Sequence, residues 1–153
     1  MRGWFHACQT GALAVFLLTA LASAQTIPFS NQEVTSTAPS ATDCTVPPAG
    51  SSFLTTDVTV YLFFDATVTS SDTLSNDWLA PDGTVIPGAI WNPQSGTYCF
   101  NGPGLPIGNL PPARLGSWQA RVYDNGTLLF TVPFAVSPGS SPVGGPSTGP
   151  IPK

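Results

Sequence analysis

The sequence predicts an all-β protein, an antiparallel sandwich of about seven short strands. Three observations carry this. Short apolar runs alternate with polar residues at a period of two, no segment shows a convincing 3.6-residue period, and turn residues separate the runs. Proline and glycine are abundant, 17 and 15 of 153 residues, while charged side chains make up only 8%. That composition excludes a coiled coil, a long-helix bundle and a charge-rich disordered chain. The length fits one domain. Strand count alone does not separate a sandwich from a barrel or jelly roll.

Residues 1–24 read as a signal peptide. Arg2 gives a positive start, an apolar stretch runs from Gly11 to Leu21, and Ala22-Ser23-Ala24 is the small-residue pattern cleaved before Gln25. The apolar core is shorter than the ~20 residues that span a bilayer, so no stable membrane insertion is expected after cleavage. The expected product is secreted or periplasmic. Cleavage removes His6, the only histidine, and Cys8, and it leaves Arg114, Arg121 and Lys153 against all eight carboxylates. That acidic balance repels phosphate backbones, so no nucleic-acid partner is expected.

Residues 25–52 form an extended N-terminal segment with a weak strand candidate near Glu33–Thr37 and a connector at Pro47-Pro48-Ala49-Gly50. The sandwich domain is placed at residues 53–136. Its first strong strand runs from Phe53 to Val68 and is apolar on both faces near residues 60–64, which suits an interior position. Thr73–Leu79 is the next strand and contains Trp78; Pro81-Asp82-Gly83 is a tight turn. Thr84–Ile86 returns, Pro87-Gly88 interrupts, and Ala89–Trp91 and Thr97–Asn101 are further short strands. Residues 102–113 are a loop broken by proline and glycine. Trp118, Ala120 and Val122 then alternate with Gln119, Arg121 and Tyr123 ahead of the Asn125-Gly126 hairpin signal. Leu128–Val132 and Phe134–Val136 flank Pro133, which argues for an edge or a bulge. Residues 137–153 are a Pro/Gly/Ser tail, expected to be flexible.

Two cysteines remain after cleavage, Cys44 and Cys99. In an exported chain an even pair reads as a disulfide. With no histidine and no C-x-x-C spacing, the pair supports neither a metal site nor a redox couple.

The segments Trp78-Leu79-Ala80-Pro81-Asp82-Gly83 and Gly116–Gly126, with the closing Phe134-Ala135-Val136, resemble immunoglobulin-like or macroglobulin-like β-sandwich modules of secreted bacterial proteins. The resemblance covers roughly residues 53–136 and implies an immunoglobulin-like sandwich. Its motifs concern turns and core, so they imply fold and not activity. Trp78 lies far beyond Cys44 and nearer Cys99, unlike the antibody-type spacing, and Tyr98 abuts Cys99. Only the architecture therefore carries over, and the disulfide is not expected to be the usual inter-sheet bridge.

No catalytic residue, metal site or cofactor is expected. Histidine-dependent chemistry has no residue to run on beyond the signal peptide, and no G-x-S-x-G elbow occurs. Asp65, Asp77 and Asp82 are nominal candidates for a carboxylate-dependent hydrolase, but they read as residues in or beside turns. Asp72, Asp77 and Asp82 do not make a calcium loop. Asn125-Gly126-Thr127 matches a glycosylation acceptor, though the turn explains the same residues. Among the aromatics Trp118 reads as core, whereas Trp91, beside a loop, reads equally as core or as surface. The candidate binding surface is Trp91, Tyr98, Arg121 and Tyr123. The expected function is that of an exported, non-catalytic module acting in protein binding or envelope or extracellular structural association. Its partner would be a protein or glycan of that space. A carbohydrate-binding module with exposed coplanar rings at Trp91 and Tyr98 is the alternative reading.

Overall fold

The computed structural model describes residues 27–40 and 42–139. Among them nine strands follow in order: β1 (Phe29–Thr35), β2 (Ser52–Leu54), β3 (Thr59–Val68), β4 (Leu74–Leu79), β5 (Val85–Trp91), β6 (Gly96–Asn101), β7 (Leu105–Pro106), β8 (Gly116–Asp124) and β9 (Thr127–Ser137). One sheet has the order β1-β3-β6, with β7 also paired to β3; the other has the order β2-β9-β8-β4-β5. Pairing is antiparallel except between β2 and β9. The fold is an all-β sandwich. The proposed signal peptide and most of the tail lie outside the described residues.

The strand count exceeds the expected seven for local reasons. The run from Phe53 to Val68 splits because Val58 adopts φ 67°, ψ −48°, which no strand can continue. Its carbonyl then accepts the amides of Ile107 and Gly108 at 2.7 and 3.1 Å, which ties down the loop expected at 102–113. Conversely, Pro87-Gly88 do not end a strand. β5 is the last strand of its sheet, where proline is tolerated. One extra residue bulges out between the Pro87 and Ile90 pairings, and buried Asn76 fills the gap, its Oδ1 accepting the Ala89 amide at 2.8 Å. A Cβ on Gly88 would lie 2.4 Å from that amide group, so the bulge needs glycine.

Residues 29–35, placed by the sequence ahead of the domain, pair with β3 and belong to the sandwich. β3 is therefore interior, flanked by β1 and β6, as its two-faced apolar character requires. Val60, Leu62, Phe64, Ala66 and Val68 face the core, where Trp78, Trp118, Ala120 and Val122 meet them from the other sheet. Phe63 points the other way, stands outside that core, and is still only 1% exposed. Residues 36–40 and 42–50 run beside this outer face, anchored by Gly50 N–H to the Val34 carbonyl at 2.7 Å and by Asn101 Nδ2 to the Ser40 carbonyl at 3.4 Å. The disulfide Cys44–Cys99 is the third anchor. It joins connector to β6 and does not cross between sheets.

The aromatic core has two poles. At one, Phe134 stacks on Trp118 and meets Trp78 and Phe53 edge-on, with centroids 5.8–6.2 Å apart. Trp118 Nε1 donates to the Arg114 carbonyl at 2.8 Å, which satisfies its one polar atom. At the other pole Phe64 stacks on Phe100 at 5.1 Å and meets Trp91 and Phe130 edge-on. The hairpin closes as read from the sequence, with Asn125 and Gly126 at φ 47° and 81°.

Candidate functional site

β5 and β6 are the terminal strands of their respective sheets, and residues 92–95 join them. Their edges therefore come together on one side of the sandwich, where the rings of Trp91 and Phe100 lie 5.6 Å apart. The connector supplies a third wall through Ser40, Thr42, Asp43 and Cys44. The result is an open cleft of about 710 Å³, also lined by Ile90, Trp91 and Tyr98. That volume falls within the ~300–1,000 Å³ of small-molecule sites.

The second aromatic pole surfaces here. Phe100 is 5% exposed and holds the edges of Trp91 and Tyr98; Trp91 is half-buried and Tyr98 is exposed. Ile90, at 71% exposure, adds an apolar surface beside them. Asn92 and Asn101 bring amides to the rim. Asp43 is the one charged side chain among the described residues lining the cleft. Hydrogen bonds from the Thr45 side chain and backbone, and from Ser40, hold its carboxyl below the ordinary range. A single ionised carboxylate offers a charge to recognise and no second acid to share a proton.

The four residues read as a binding surface divide into two places. Trp91 and Tyr98 meet in the cleft. Arg121 and Tyr123 lie on the outward face of β8, in the same sheet as Trp91 but two strands away from β5, beside Asp77 of β4. There Arg121 Nε and Nη2 donate to the two Asp77 oxygens at 2.7 and 2.8 Å, and Tyr123 Oη donates at 3.3 Å. The guanidinium is held firmly protonated by those bonds; burial, followed by the Asp77 charge, pushes the Tyr123 hydroxyl up. Two guanidinium donors and the Tyr123 hydroxyl are thus engaged on Asp77.

The carboxylate candidates are scattered. Asp77 is mid-strand, not beside a turn, and its charge is matched by Arg121. Asp65, likewise within a strand, accepts from the Asn31 amide. Asp82 is in its turn, where the Thr84 amide and Arg114 are its partners at 2.9 and 3.1 Å. Trp78 and Trp118 are buried, 2% and 0% exposed, and the Trp91 and Tyr98 rings meet Phe100 at 71° and 62°. Of the tryptophans among the described residues, only Trp91 is not buried, and it lines the cleft with the exposed Tyr98. Among those residues no three His, Cys, Asp or Glu side chains gather as a metal would need, and no helix is long and apolar enough to cross a membrane.

No family model matches the chain, and no curated protein matches it. Among solved structures, the chain is similar to the alkylpurine DNA glycosylase AlkC of Pseudomonas fluorescens bound to DNA containing an abasic site analog. The identity is 14% and the TM-score 0.47, with 73% of this chain and 30% of that one covered. This neighbour is an enzyme on DNA, against the expectations of a non-catalytic protein-binding or envelope-associated module and of no nucleic-acid partner. Both expectations are corrected: neither that role nor that exclusion is carried forward. The likeness is too slight to argue for a DNA-directed activity in their place.

Proposed function

We propose that this chain is a ligand-binding β-sandwich that takes a small molecule into the cleft between its two sheet edges. One observation carries the reading. The aromatic core opens at Trp91 and Tyr98 into a cleft of about 710 Å³ whose third wall is fixed by a disulfide. Concave, largely apolar sites with a few placed polar groups are where small ligands bind. The same proposal takes the sandwich as immunoglobulin-like, on the motifs at Trp78–Gly83 and Gly116–Gly126. It also takes the protein as secreted or periplasmic, because a pinned disulfide is at home in an oxidising compartment.

The test is a screen of small aromatic and aliphatic compounds against isotope-labelled protein, mapped by amide and indole shifts. Saturable shifts at Trp91, Tyr98 and Asn101, lost in Trp91→Ala, are the expected result. Shifts centred on Arg121 and Tyr123, or binding untouched by Trp91→Ala, would contradict it. For the compartment, exported protein beginning at Gln25 is expected; full-length protein confined to the cytoplasm would refute that part.

A further inference from the structure

The cleft has a charge character that narrows its ligand. Its walls hold rings, an exposed isoleucine, hydroxyls and amides, and the one charged group that the described residues bring to it is the exposed carboxylate of Asp43. Among the described residues no basic side chain lines it. The two arginines of the described residues are spent elsewhere, Arg114 on Asp82 and Arg121 on Asp77. An anionic ligand would therefore find no counter-charge here and one like charge. A cation would find the carboxylate together with aromatic faces, the two groups that attract a poorly hydrated positive nitrogen.

Resting on the cleft being the binding site, we propose that its ligand is a small organic ammonium ion with an apolar body. The apolar body would pack on Ile90 and Trp91, with the positive nitrogen between Asp43 and the Tyr98 ring. Because the Thr45 and Ser40 hydrogen bonds keep Asp43 ionised, the attraction holds throughout the neutral range. Asp43 is solvent-exposed, so added salt screens the attraction and weakens it.

Three probes of one shape and different charge test this on the disulfide-intact protein: 2-phenylethylammonium, 2-phenylethanol and phenylacetate, each titrated with amide and indole shifts read at the cleft. The cation is expected to bind about tenfold more tightly than the alcohol, with phenylacetate weakest. Asp43→Asn is expected to erase the preference for the cation and leave the alcohol unchanged. This variant touches no core residue, so its folding is not at stake. Equal binding of cation and alcohol, or tighter binding of phenylacetate, overturns the charge assignment and leaves the cleft standing. Failure of all three to shift cleft resonances overturns the cleft reading and this inference together.

Discussion

The two aromatic poles of the core use similar residues to opposite ends. Around Phe134, the rings of Phe53, Trp78 and Trp118 are all at most 4% exposed, and the pole is sealed. Around Phe64, the contacts continue through Phe100 to Trp91 and Tyr98, and the pole ends at the surface. For the tryptophans the difference follows where their strands stand, although Phe53 is sealed on terminal β2. Trp78 and Trp118 are on β4 and β8, each flanked by strands on both sides, whereas Trp91 and Tyr98 are on β5 and β6, each at one end of its sheet. A tryptophan in a small sandwich is informative about function only once its strand is known to be an edge.

The comparison can be broken by substitution. Trp118→Ala removes a fully buried ring and leaves its cavity in the sealed pole; a loss of ~4 kcal/mol is expected in denaturant unfolding. A much smaller loss would mean that this pole is not the stabilising one. Replacing both Cys44 and Cys99 by serine removes a link across 55 residues, which stabilises by ~3 kcal/mol. Faster proteolysis or hydrogen exchange should then appear in residues 36–50 before it appears in β8 and β9. Uniform loss throughout the sandwich would show that the connector is not a separate layer.

Trp91→Ala should cost only ~1–2 kcal/mol, since its ring is only partly buried, and should abolish ligand shifts in the cleft. Asp43→Asn is the smallest perturbation. The folded-state pKa of Asp43 is depressed, so its contribution to stability is present above the ordinary value of 3.8 and is lost as pH falls through the folded value. The variant and the parent should therefore differ slightly in thermal midpoint at neutral pH and converge in acid. A gap that widens in acid would contradict the assigned direction.

Much of this was readable before the structure. Alternation fixed the inward set on β8, Asn125-Gly126 fixed the hairpin, and the doubled Phe63-Phe64 marked β3 as interior. The cysteine pair was legible because Cys44 and Cys99 are the two expected to remain after cleavage of the leader. Val58 was not legible, because a β-branched residue at positive φ contradicts its own propensity and is imposed by tertiary bonds to Ile107 and Gly108. β5 was misread as two pieces because the bulge that absorbs Gly88 depends on Asn76 of the neighbouring strand. At the site, Trp91 and Tyr98 were legible as candidates. Their partners Asp43 and Asn101 were not singled out, since only the fold of the connector over β6 brings them together. For Arg121 and Tyr123 the outward face was legible, but not that Asp77 pairs with both across it.

The most direct measurement compares ligand-induced shifts in oxidised and reduced protein, with the Trp118 indole as an internal monitor of fold. The account predicts shifts at Trp91, Tyr98 and Asn101 that vanish when Cys44–Cys99 is reduced, while the Trp118 signal stays in place. Ligand shifts that persist unchanged after reduction, or that gather on the Arg121 face, would contradict it.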